Sequence, residues 1–182
     1  ATSEIVETVT AVLTAYDGPV VVDPVMVAAT GDRLLTPAAE AAYEDLVARA
    51  TLVTPNVDEA EVLVDRTVET PTDAAAAGRR LVEWGADAAL VKGGHLDGGD
   101  DAAPEADGRA VSTVVDTLVI GDEAGGEPTV RRIENPRIAT DATHGSGCTL
   151  SSAIAARLAR GEPPASATVE AVSEMHEAIR RG

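Results

Sequence analysis

The sequence predicts an α/β fold in which a mostly parallel sheet is covered by helices on both faces. Two observations carry the prediction. Short continuous apolar runs occur at residues 19–23 (PVVVD), 51–54 (TLVT) and 88–92 (AALVK), the pattern of strands buried on both faces. Between them the apolar residues recur at helical spacing, and strands alternating with helices imply a parallel sheet with helix layers above and below.

Residues 3–16 read as the first helix, with Ile5, Val6, Val9, Val12 and Leu13 on one face and Ser3 placed to cap it. The 19–23 strand follows. Thr36-Pro37 has the form of an N-cap with proline in the first helical position, opening a helix to about Arg49 with Ala42, Tyr43, Leu46 and Val47 inward. After the 51–54 strand a short helix starts beyond Asn56, and another spans about 72–84, ended by Gly85. The pattern changes beyond the 88–92 strand. Residues 97–109 read as a loop, and 110–120 and 128–134 read as extended strands around the turn GDEAGGEP, a hairpin signal. A final helix pair covers about 147–160, closed by Gly161, and 165–180. The whole reads as one domain without an internal repeat or linker. A doubly wound fold opens on a strand near the middle of its sheet, whereas this sequence opens on a helix and not on Met, so N-terminal strands are expected to be missing.

Composition narrows the function. Hydrophobic residues make up 45% of the 182, with no Phe and one Trp, so the core is aliphatic. No apolar run reaches the ~18 residues that span a bilayer, and the start lacks a signal-peptide layout. A lone cysteine, Cys148, excludes an intrachain disulfide and fits a reducing, cytoplasmic setting. The formal net charge of -17 argues against nucleic acid and anionic membranes as partners. Thirteen arginines against one lysine on an acidic chain point to a protein working at high salt, where short screening lengths temper self-repulsion. Arginine replacing lysine in a GC-rich genome is the plainer alternative.

The sharpest chemical signal is DATHGSGCTLSSAIAARLARG (141–161), where a glycine loop, His144-Gly145-Ser146-Gly147, runs straight into an amphipathic helix. Free N–H groups and the helix dipole favour an anion at such a helix start. Cys148 falls in the first turn, where its thiol pKa is expected to drop. Taken alone, a Gly-x-Gly before a helix is more often a plain turn. Lys92 is the only lysine, sits at a strand end before Gly93-Gly94, and has the compact mobile charge that suits a phosphate in transfer. Metal binding by Cys148 is unsupported, because there is no second cysteine and no spaced histidine pair.

The segment T-H-G-S-G-C-T-L-S-S-A-I-A-A (143–156) resembles the signature of the hydroxymethylpyrimidine/phosphomethylpyrimidine kinases, within the ribokinase-like superfamily. Three further segments are similar in the family's order: V-V-V-D-P-V-M-V-A-A-T-G-D-R-L-L (20–35), T-P-N-V-D-E-A-E-V-L (54–63) and L-V-K-G-G-H (90–95). The resemblance covers almost the whole chain and begins inside the family's pattern. It implies a ribokinase-like three-layer α/β/α domain over residues 1–182, incomplete at its N-terminus. It implies ATP-dependent phosphorylation of 4-amino-5-hydroxymethyl-2-methylpyrimidine and its monophosphate in thiamine biosynthesis, with Mg²⁺ and ATP. Two alternatives stand beside it: a cysteine-containing pyridoxal or pyridoxine kinase, and an inactive truncated nucleotide-binding remnant. Dimers are common among similar proteins, so a homodimer is compatible, though no sequence feature locates an interface.

Residue by residue, the resemblance gives Asp23 a place in positioning Mg²⁺ and phosphates. Asn56 and Glu59 lie one helical turn apart, Glu59 acting on Mg²⁺ through water, while Asp58 and Glu61 read as solvated acids. Lys92 and Cys148 are the catalytic pair, with Cys148 accepting or orienting the proton of the substrate hydroxyl. Thr143, Gly145, Ser146 and Gly147 hold ATP phosphates. Met26 and Val27 face the substrate ring, although apolar residues after a strand are more often core. His95 contacts nucleotide or caps its loop. The chain departs from the family at Ala142, where Asn is common, and neighbouring Asp141 is a candidate replacement.

Overall fold

The computed structural model describes residues 2–26, 37–94, 112–140 and 145–181. Helix α1 spans Ser3–Leu13, followed by strand β1 (Val21–Val22), α2 (Pro37–Val47), β2 (Leu52–Val53), α3 (Val57–Val64), α4 (Pro71–Glu83) and β3 (Ala88–Val91). The hairpin strands β4 (Thr113–Ile120) and β5 (Thr129–Pro136) come next, then α5 (Ser146–Leu158) and α6 (Pro164–Arg181). One five-stranded sheet runs in the order β1-β2-β3-β4-β5. Its β1-β2-β3 part is parallel, and β4 and β5 join it antiparallel, with Leu90 opposite Leu118 and Val119 opposite Val130.

Side-chain alternation along these strands builds the layers. Leu52, Ala88, Leu90 and Leu118 point to one face and pack with Leu150, Ile154, Leu158, Ala167 and Val172 of α5 and α6. Val53 and Ala89 point to the other, against Val6 of α1, Leu46 and Val47 of α2, Leu63 of α3 and Leu81 of α4. Each fully buried aliphatic side chain of this kind contributes about 1.5–3 kcal/mol relative to exposure, so an aliphatic core closes two interfaces without phenylalanine.

Local signals set the helix ends. Asn56 and Thr70 each form a reciprocal capping box, with Glu59 and Asp73 as partners. Gly85 and Gly161 take the left-handed conformation (φ 116° and 84°) just past α4 and α5, where the sequence placed the stops. The N-cap of α1 is Thr2, without a side-chain cap bond, so Ser3 is the first helical residue and not the cap. Thr36, read as the cap of α2, lies outside the described residues, but Pro37 does open that helix.

The two sheet edges differ. Strand β5 displays Arg131, Arg132 and Glu134, charges that discourage further pairing. Strand β1 pairs only with β2 among the described residues. Beside it α1 buries Val6, yet Ile5, Val9 and Val12 of its apolar face stay 55%, 43% and 67% exposed. A groove of about 390 Å³ runs between α1, β1 and Tyr43 and Leu46 of α2.

Candidate active site

The carboxyl ends of the three parallel strands and the start of α5 converge. Asp23 follows directly on β1, Thr54 on β2 and Lys92 on β3, the ends where open α/β sheets take their ligands. The β-ladder continues one step past β2 and β3: Lys92 N–H donates to the Pro55 carbonyl at 2.8 Å, setting Asn56 beside Lys92. Lys92 Nζ then reaches across to Asp23 Oδ1 at 3.1 Å, with the side chains only 14% and 17% exposed. Such a pair is shielded enough to hold its geometry, which an exposed pair is not. A Cβ placed on Gly147 would lie 3.2 Å from Lys92 Nζ, so the ammonium sits against the first turn of α5.

That turn is built to receive an anion. Gly145 is the N-cap with φ 80°, a conformation that costs glycine little. Its cap position offers no side-chain bond to the first amides, and the earliest helical bond of the ladder is Thr149 N–H to the Gly145 carbonyl at 3.0 Å. The N–H groups of Ser146, Gly147 and Cys148 precede that bond and have no partner within the helix.

Cys148 is exposed on this turn and faces Asp23. The sequence predicts a lowered thiol pKa, and the structure corrects this: the thiol lies above its ordinary value. Asp23 is the leading cause, first as a hydrogen-bond acceptor for the S–H and then as a charge opposing a thiolate, while Lys92 pulls the other way. The charge of a nearby carboxylate outweighs the fractional charge of a helix end.

Glu59 is almost fully buried, and its Oε2 accepts the Asn56 amide at 2.8 Å while Asn56 Oδ1 accepts the Glu59 amide at 2.8 Å. Both side chains therefore hold the start of α3. Burial drives the Glu59 pKa up, partly offset by the Asn56 hydrogen bond and the Lys92 charge. Asp58 is exposed as expected, whereas Glu61 accepts the Val68 amide at 2.8 Å and so is a structural acid instead of a solvated one. Met26 is fully buried in the core beside Val22 and Leu46, which corrects its placement against a ligand ring. Val27, His95, Asp141, Ala142, Thr143 and His144 lie outside the described residues.

Three residues of the site escape the sequence reading. Thr54, fully buried, approaches Asp23 Oδ1 at 3.3 Å and shares a 2.8 Å hydrogen bond with Ser151 of α5, whose hydroxyl also reaches the Gly147 carbonyl at 3.0 Å. Tyr43 has its pKa raised by burial and then by the charges of Glu59 and Asp23. The available signals were a polar residue ending an apolar strand at Thr54 and the i+4 spacing of Ser151 from Gly147. No group of three or more His, Cys, Asp or Glu side chains poised for a metal occurs among the described residues.

The sequence profile of the phosphomethylpyrimidine kinases matches residues 1–182. The chain belongs to this family. It is 42% identical over 161 residues to the hydroxymethylpyrimidine/phosphomethylpyrimidine kinase of Rhizobium meliloti, a stretch that covers 87% of this chain and 53% of the relative. Among solved structures, the phosphomethylpyrimidine kinase of Clostridium difficile superposes with a TM-score of 0.71 at 30% identity, over 97% of this chain and 64% of that one. The Staphylococcus aureus pyridoxal kinase in complex with AMP-PCP and pyridoxal superposes at 0.75 and 28%, over 94% of this chain and 55% of that one. The fold is therefore ribokinase-like, and the chain spans little more than half the length of these kinases.

Proposed function

We propose that residues 1–182 form one ribokinase-like unit carrying the phosphoryl-transfer machinery of an ATP-dependent kinase. Its acceptors are 4-amino-5-hydroxymethyl-2-methylpyrimidine and the monophosphate of that compound. The observation that carries the reading is the convergence of Asp23, Lys92 and Cys148 on the open start of α5. The name borne by the R. meliloti relative supports the choice of acceptor.

Phosphoryl transfer asks for positioning and neutralisation of charge more than for covalent work. The amides of Ser146 and Gly147 and the Lys92 ammonium gather a phosphate from two sides, and backbone donors fixed in advance stabilise charge as it develops. Thr143, Gly145 and Asn56 complete the phosphate-binding set, and Val27 marks the ring side as the resemblance has it. Asp23 suits Mg²⁺, which keeps its waters and takes only one or two carboxylates, and Glu59 is the second carboxylate of the same cleft. When bound, Mg²⁺ supplies charge neutralisation to the triphosphate. Cys148 faces the acceptor hydroxyl and orients it or takes its proton. Because Asp23 raises the thiol pKa, cationic charge gathered at Asp23 would make the thiolate easier to form. The protein is taken as cytoplasmic, and a homodimer is the assembly its resemblance supports.

An ADP-release assay with MgATP tests the acceptor. Turnover with the pyrimidine and its monophosphate is expected to exceed that with pyridoxal by at least about tenfold, the discrimination that roughly 1.4 kcal/mol of differential binding provides. Release with pyridoxal alone would replace this reading with the pyridoxal kinase one. Release with no ring acceptor would contradict transfer by this chain on its own.

A further inference from the structure

We infer that Asp116 is a positioning residue for the transfer site: its carboxylate holds the Gly93 amide and so fixes the strand end from which Lys92 reaches Asp23 and the start of α5. The inference rests on the transfer role proposed for Lys92.

Asp116 is the one charged residue in the β4 run Thr113–Ile120, in the middle of otherwise apolar or hydroxyl-bearing residues. Its Oδ1 accepts the Gly93 N–H at 2.8 Å. Gly93 is pressed from the β4 side as well, since a Cβ there would fall 1.8 Å from the Val115 carbonyl oxygen. The backbone directly after Lys92 is thus pinned by a hydrogen bond and by a contact that only glycine permits. Burial raises the Asp116 pKa, while the Gly93 hydrogen bond and the Lys92 charge lower it, so the carboxylate is desolvated and lies within the field of the ammonium. A half-buried carboxylate in a strand is unfavourable compared with an apolar residue of similar size. What it supplies in return is a strong acceptor at the point where β3 ends. From Gly93 the chain of contacts is short: Lys92, its 3.1 Å pair with Asp23, and Gly147 beside the ammonium. A misplacement of about 1 Å in such a group can cost on the order of 100-fold in rate.

Lys92 is the only lysine in the chain, so protein grown on lysine labelled with ¹³C at Cε gives one side-chain NMR signal, readable whether or not the protein turns over. Three variants are compared: Asp116→Val and Asp116→Ala, which remove the acceptor, and Asp116→Asn, which keeps an oxygen acceptor without the charge. Val suits a buried strand and is expected to fold; either acceptor-free variant suffices. We expect Val or Ala to shift and broaden the Lys92 signal and to lower kcat by roughly 10- to 100-fold, with a smaller change in KM for MgATP. Asn is expected to keep the signal near its wild-type position and kcat within about threefold, the rescue that a retained hydrogen bond predicts. An unmoved Lys92 signal in the acceptor-free variants would overturn the inference, and so would an Asn variant as impaired as Val or Ala. If wild-type protein phosphorylates no ring acceptor, the proposed function fails, and the NMR comparison still decides Asp116.

Discussion

At the scale of the residue, Cys148 and Asp23 define each other. The thiol is the only one in the chain, and Asp23 raises its pKa by accepting the S–H and by repelling a thiolate. Iodoacetamide, which reacts with the thiolate, should therefore alkylate Cys148 with a midpoint above the ordinary thiol range. In Asp23→Asn the leading cause of the elevation is gone, while Lys92 still favours the thiolate, so the midpoint must move down and alkylation at neutral pH must accelerate. A pH series of alkylation rates reads this directly, and an unchanged or raised midpoint would refute the pairing. The sequence identifies these residues and their order along the chain. It could not give the direction of the thiol shift, because the helix start is local while Asp23 arrives from a strand 125 residues earlier. Met26 fails for a similar reason. Its neighbours decide whether it is core or ligand surface, and Leu46 and Val22 are neighbours only in space.

At the scale of the element, α5 is held to the sheet by a buried pair of hydroxyls. Ser151, one turn into the helix, meets Thr54 at 2.8 Å, and Thr54 lies 3.3 Å from Asp23 Oδ1. The pair ties the turn carrying Cys148 to the strand ends carrying Asp23. Replacing both partners of a buried hydrogen bond with apolar groups of similar shape is nearly neutral for stability, whereas removing one leaves an unsatisfied group that costs about 1–3 kcal/mol. Thr54→Val with Ser151→Ala should therefore melt close to wild type, and each single variant should melt lower. Thermal melts of the three proteins decide it; a double variant destabilised by the sum of the singles would mean the hydroxyls do not act as a pair. Elements themselves were legible: every helix, strand and hairpin read from periodicity appears within a few residues of its place, because runs such as AALVK and caps such as Asn56 and Gly161 carry local information. The reciprocal bonding of Asn56 and Glu59 was not, since one spacing serves a capping box and a ligand pair equally.

At the scale of the whole molecule, net charge and open surface dominate. The chain carries a formal -17 with a single lysine, and its bonded arginines gather carboxylates in clusters, Arg157 pairing with Glu162, Glu170 and Glu174 to hold α5 to α6. The remaining acids repel one another across the surface. Raising KCl shortens the screening length from about 10 Å at 0.1 M to about 3 Å at 1 M, so the melting temperature should climb over that range. A flat or falling melting temperature would count against salt adaptation. The same scale explains what composition could not foresee. The apolar face of α1 looks like any core-facing helix in sequence, yet Ile5, Val9 and Val12 remain exposed, because what a helix face meets depends on the order of the sheet and on the open edge at β1.

The central claim is that the Cys148 thiol takes part in transfer while the amides and Lys92 bind phosphate without it. The decisive measurement is kcat for Cys148→Ala beside its affinity for MgATP. Cys148→Ala is expected to lower kcat by at least about 100-fold, the usual scale for losing a group that handles the proton, with nucleotide affinity unchanged. Turnover within about tenfold of wild type, some 1.4 kcal/mol of barrier or less, would contradict it.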